Sequence, residues 1–81
     1  MKHKIETSTH IIEYEPRLAE ILKERGMTQQ EFAEMIGLPQ PNISRFDRAT
    51  QHKDAYELLI SHALGIKIND LYKVNITKKT L

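Results

Sequence analysis

Between Gly26 and Arg48 two helical patterns are separated by only three residues, Gly37-Leu38-Pro39, and this joint constrains the chain more than any other feature. Thr28 with Glu31 three positions on is a T-x-x-E capping box, which satisfies two backbone N–H groups that a helix start otherwise leaves unpaired. Phe32, Ala33 and Ile36 supply an apolar face at helical spacing, and Gly37 stops the run where a left-handed backbone is wanted. A second helix is predicted from about Gln40 to Arg48. Pro39 and Pro41 fall at or before its first turn, where a missing N–H costs little.

Three further helices are predicted around this pair. One follows Pro16, a residue suited to a first helical turn, and carries Leu18, Ile21 and Leu22 before Gly26. Another starts at Asp54 as its cap and runs through Leu58, Leu59 and Ala63 to Gly65. A short fifth is capped by Asn69 and holds Leu71 and Tyr72. Five brief helices with short connections imply a compact all-α bundle.

The ends read differently. Residues 9–14 and 72–76 are rich in β-branched and aromatic side chains. They are expected to pair as a small β-ribbon, within the chain or across a dimer, with Ile11 to Tyr14 as an edge strand open to a second chain. Residues 1–8 and 77–81 are expected to fray. The layout is then an N-terminal extension over 1–15, a helical domain over 16–73 and a C-terminal strand or tail over 74–81.

Composition excludes several functions. The chain has 81 residues and no cysteine, so neither disulfides nor a thiolate metal site can support it. No apolar run approaches the ~18 residues of a membrane span and no signal pattern opens the chain, so the expected compartment is the cytoplasm. His3, His10, His52 and His62 lack metal-ligand spacing, Ser44, Ser61 and Asp54 form no triad, and no glycine-rich phosphate loop occurs. Neither an enzyme nor a bound cofactor is expected. The net charge is only +1, but it is uneven: residues 1–37 carry −2 and residues 38–81 carry +3.

The polar residues of the third helix give the clearest functional signal. At about 100° per residue, with Gln40 at zero, Ile43 and Phe46 fall near 300° and 240° on one apolar face. Gln40, Pro41, Ser44, Arg45 and Arg48 fall between about 0° and 140°. Glutamine can pair with adenine, arginine with guanine, and serine with base edges or phosphate. Two short helices joined by a tight turn can form a helix-turn-helix, whose second helix enters the major groove of DNA. The same spacing also fits an ordinary corner between packed helices.

The motif Gly26-Met27-Thr28-Gln29-Gln30-Glu31-Phe32-Ala33, then Gly37 and Ile43-Ser44-Arg45-Phe46, resembles the phage-repressor/Cro-like (Xre-type) helix-turn-helix family. Ser61-His62-Ala63-Leu64-Gly65-Ile66 with Leu71 is similar to that family's later A-L-G helix and turn. The resemblance covers roughly residues 17–73 and implies a five-helix repressor-like domain that binds double-stranded operator DNA, usually as a homodimer on a near-palindromic site. It implies base reading by Gln40, Pro41, Asn42 and Arg45. Contacts to the DNA backbone would fall to Gln29, Ser44, Arg48 and Lys53, with Thr28 capping the second helix beside them, and the loop 49–53 would grip the same backbone. Pro39 stands where the family has a Ser/Thr cap, Pro41 where a base-reading side chain is common, and Ala49 where a glycine is customary, which leaves the loop's path open. Domains of this kind also serve as antitoxins or protein-interaction modules, and a regulatory protein partner is the alternative expectation.

Overall fold

The β-branched segments near the two ends of the chain meet, and a third strand joins them. In the computed structural model, which describes residues 2–80, β1 (His3–Glu6) and β2 (His10–Pro16) form a hairpin, and β3 (Tyr72–Lys78) returns along the other side of β2. The sheet is antiparallel throughout, in the order β1-β2-β3. Thr7 closes the hairpin turn, its hydroxyl accepting the His10 N–H at 2.9 Å. At the same end Lys79 reaches over to Glu6 at 2.9 Å; that hydrogen bond, then the ammonium charge, holds the Glu6 carboxyl below its usual range.

Between β2 and β3 lie α1 (Leu18–Glu24), α2 (Gln29–Ile36), α3 (Gln40–Arg45) and α4 (Asp54–Leu64). Single 3-10 turns follow α3 (Phe46–Arg48) and precede β3 (Ile68–Leu71). The core is gathered from every helix: Leu18, Leu22, Phe32, Ile43, Ile60 and Leu71 are each no more than 2% exposed. No helix among the described residues is long and apolar enough to cross a membrane.

The expectation of a five-helix, all-α bundle is corrected to four helices and a three-stranded sheet. The segment after Gly65 is too short for an α-helix and tightens into the 3-10 turn, where the Asp70 carboxylate accepts the Lys67 N–H at 3.2 Å in place of a cap from Asn69. The ends do not fray as expected: residues 3–6 are β1 and 77–78 belong to β3, while Met1 and Leu81 lie outside the described residues. Nor does Ile11 to Tyr14 form an edge, because β2 is the central strand and its backbone is paired on both sides. Pro16 does not open α1. It ends β2 opposite Tyr72, and the Arg17 N–H turns to the Leu71 carbonyl at 2.8 Å.

In α4 the buried positions are Ile60, Ser61 and Leu64, whereas Leu58 is 57% and Leu59 37% exposed. At about 100° per residue Ile60, Ser61 and Leu64 share one arc of the helix, and Leu58 and Leu59 fall more than about 100° from its centre. The helix begins at Asp54 with Lys53, not Asp54, in the capping position. The capping box on α2 is complete: the Thr28 hydroxyl accepts the Glu31 N–H at 3.0 Å and the Glu31 carboxylate accepts the Thr28 N–H at 3.1 Å. Those bonds hold the Glu31 carboxyl below its usual range. Gly37 closes α2 at φ 75°, a left-handed conformation costly for any residue with a Cβ.

Candidate functional site

The α2–α3 corner presents one face of α3 to solvent and seats the other in the core. Ile43 and Phe46 are 2% and 4% exposed, while Gln40, Pro41, Arg45 and Arg48 stand outward and Asn42 and Ser44 are half-buried. Pro39 caps α3 without a side-chain hydrogen bond, and Pro41 occupies its first turn. Neither ring removes an intrahelical bond there, so both stiffen the backbone that carries Gln40.

Several expected residues come together. The Gln40 amide donates to the Gln29 side-chain carbonyl at 3.5 Å, joining the start of α3 to the start of α2. The Pro41 carbonyl accepts from both the Ser44 hydroxyl and the Arg45 Nε, each at 3.2 Å. Arg45 therefore lies back along its own helix with one N–H used, and the rest of its guanidinium fork remains for a partner. Lys53, at the head of α4, sets its ammonium 5.4 Å from the Tyr56 ring centre. A groove of about 210 Å³ separates α3 from α4, with Asn42, Arg45, Lys53 and Tyr56 around it and Ile43 and Phe46 lining it. Thr28 is set apart from the others: its hydroxyl oxygen is committed to the cap of α2.

Two residues that the sequence reading gave no separate role fix this face in place. Asp47 is one. Its two carboxylate oxygens accept the Leu18 and Ala19 N–H groups at 2.8 and 2.9 Å, so it caps α1 from 29 residues away in the chain. Arg17, the local capping residue, makes no side-chain hydrogen bond to α1's N–H groups. The arrangement sets the one carboxylate of the 3-10 turn at the positive end of α1.

His52 is the other. Its ring stacks on Phe46 with centroids 3.9 Å apart, and its Nε2 lies 2.6 Å from the Phe46 carbonyl. Since a carbonyl only accepts, Nε2 carries the proton, and in the neutral ring Nδ1 accepts from the Tyr72 hydroxyl at 3.0 Å. Glu57 lies 3.9 Å from Nδ1. Burial first, then the Glu57 charge, pushes the Tyr72 phenol far above its ordinary value. Thus the loop 49–53 does not offer every residue outward. His52 is an internal brace, Ala49 is half-buried, and Thr50, Gln51 and Lys53 are exposed. Ala49 has φ −75° and ψ 141°, ordinary extended backbone, so the loop needs no glycine at this position. Only the three-dimensional fold exposes these roles, because both residues act on partners distant in sequence.

Among the described residues no group of three His, Cys, Asp or Glu side chains is placed to hold a metal ion. The site instead offers amide groups, a hydroxyl and three cations, on one short helix and the start of the next. Residues 18–46, which hold α1, α2 and α3 to its 3-10 extension, match the family model described as Helix-turn-helix. No curated protein and no solved structure matches the chain.

Proposed function

We propose that the chain, whose residues 18–46 match a helix-turn-helix family model and whose motif resembles the phage-repressor/Cro-like (Xre-type) family, is a sequence-specific DNA-binding regulator that acts as a repressor. In this reading α3 lies in the major groove with Gln40 and Arg45 on base edges, and Asn42 and the Pro41 ring beside them. Gln29, Ser44, Arg48 and Lys53 hold the phosphates on either side, with Thr28 keeping the start of α2 in position.

One observation carries the reading. The outward face of α3 presents Arg45 together with Gln40, which is hydrogen-bonded to Gln29 of α2, and the nearby Asp47 carboxylate is occupied by α1. That contact joins two exposed amides across the α2–α3 turn. It holds a glutamine side chain at the N-terminal end of the helix, where a recognition helix meets base edges.

One such helix reads too few base pairs for useful specificity, so a homodimer on a near-palindromic site is part of the proposal, with half-sites about 34 Å apart. The test compares Arg45→Ala with Arg48→Ala on the preferred duplex and on single-base variants of it. Loss of discrimination at one base pair in Arg45→Ala, and uniform weakening in Arg48→Ala, is the expected pattern. Equal, sequence-blind effects of both would remove Arg45 from base reading.

A further inference from the structure

The three-stranded sheet is two-faced. Residues opposite one another in an antiparallel sheet share a face, and positions two apart along a strand do too. The register places Ile5, Ile12 and Ile76 in one row and His3, Tyr14 and Val74 in the next, all on the same side. The other side carries Lys4, Glu13 and Asn75 in one row, with Glu15 opposite Lys73. On the apolar side Ile5 is 49%, Val74 48% and Ile76 59% exposed. These are β-branched side chains within strands, and among the described residues, only ten of which are buried hydrophobics, none covers them fully.

We infer that this apolar face is where two copies of the chain pair, sheet against sheet, with strands running in opposite directions. The inference rests on the dimeric reading above and names its interface. Area decides the form of the contact. Three strands of about six residues give a face of roughly 20 by 14 Å, or ~300 Å², about half of the ~600 Å² per partner that even a small specific interface buries. A second contact must supply the rest, and the fold holds one. At the root of the same face, where the sheet joins the helices, a groove of about 530 Å³ runs between Ile12, Tyr14 and Val74 on one side and Glu57, Ile68 and Asn69 on the other.

Charge complementarity selects a second copy as its occupant. The far end of the apolar face terminates in His10 paired with Lys78, and the groove contains Glu57. Strands in opposite directions set the tip of each sheet over the root of the other, so Lys78 of each copy meets the groove that holds Glu57 of its mate. The span fits: six residues separate Tyr72 from Lys78, or ~20 Å of strand. Two such contacts related by a two-fold axis are self-complementary, as a symmetric dimer demands.

The interface also has a rigid connection to the proposed reading helix. Tyr14 packs edge-on against Tyr72 with ring centres 6.1 Å apart, the Tyr72 hydroxyl meets His52, and His52 stacks on Phe46 at the end of α3. Pairing through the sheet therefore fixes the relative placement of two α3 helices through packed rings.

Sedimentation of the full chain without DNA at about 100 µM tests this, since an interface with a dissociation constant near 1 µM is mostly paired there. Wild type is expected to sediment as a dimer. Ile76→Glu or Ile5→Glu places an unpaired carboxylate in the contact and is expected to raise the dissociation constant at least ~100-fold. Both positions are already half exposed in the single chain, so the helical circular dichroism signal should be retained. Thr77→Glu, one residue along on the opposite face, should leave the dimer intact. A monomeric wild type, or a dimer unaffected by both apolar-face variants, overturns the proposal. Binding of a mixed-sequence duplex at low salt separates the two readings. Dimer loss as described in a chain that ignores DNA keeps the interface and removes the regulator, and a monomeric chain that binds DNA does the reverse.

Discussion

Replacing Asp47 with alanine removes the cap of a helix that is remote in sequence. The carboxylate accepts two N–H groups, from Leu18 and Ala19, at 2.8 and 2.9 Å, in a half-buried setting. Losing a capping side chain costs typically about 1 kcal/mol. Here two bonds to a charged acceptor are lost, and such bonds contribute about 1.5–3 kcal/mol each when well formed. Partial exposure lets water replace some of this, which brings the expected cost of Asp47→Ala to about 2 kcal/mol. For a domain of this size each kcal/mol moves the thermal midpoint by ~4–8 °C, so a fall of roughly 8–16 °C is expected. Asp47→Asn keeps one acceptor oxygen and should lose about half as much. Urea unfolding, followed by circular dichroism at constant m-value, measures both. A change in Asp47→Ala within about 0.5 kcal/mol of wild type, the range of an ordinary surface substitution, would refute the capping argument.

His52→Ala should destabilise the fold by about 1–3 kcal/mol, since it unstacks Phe46 and leaves the Phe46 carbonyl and Tyr72 hydroxyl without their partner; chemical denaturation reads this directly. Gly37→Ala should cost about 1–2 kcal/mol from its left-handed backbone alone, because an added Cβ meets nothing within 4 Å; an unchanged thermal midpoint would contradict it. Lys53→Ala should weaken binding to all duplexes nearly alike and reduce the slope of log affinity against log salt by about 1, measured by fluorescence anisotropy. The Glu31 carboxyl titrates lower in the folded chain than in the unfolded one. Its contribution is therefore full above the ordinary glutamate value near ~4.3 and lost as pH falls through the lowered one, so the stability gap between wild type and Glu31→Gln should close on acidification.

What could be read from the sequence was local. The capping box of Thr28 and Glu31, the stop at Gly37 and the inward pair Ile43 and Phe46 depend on spacing within one helix, and spacing is visible in a linear chain. The edges of that reading fail where a distant partner decides. Pro16 suits a helix start by itself, yet Tyr72 pairs opposite it and makes it the end of a strand. Leu58 and Leu59 look like core residues until the burial of Ile60, Ser61 and Leu64 fixes which face of α4 turns inward. Residues 3–6 gave little strand signal because Lys4 and Glu6 belong to a polar face, and only pairing with β2 orders them. At the candidate site the outward positions Gln40, Arg45 and Arg48 follow from the wheel. The braces formed by Asp47 and His52 do not, since their bonds reach α1 and β3. The departure in the family pattern lies at Ala49 and says nothing of Asp47, whose capping role arises from the packing of the 3-10 turn against α1.

In the proposed function α3 reads DNA sequence. Selection of bound duplexes from a random pool, followed by titration of the enriched site at several salt concentrations, tests it most directly. A near-palindromic motif with half-sites about one helical turn apart and a steep salt slope is expected, with each base mismatch costing ~1–3 kcal/mol. A pool that shows no enrichment, with weak binding equal on all sequences, would contradict it and leave the exposed face of α3 as a surface for a protein partner.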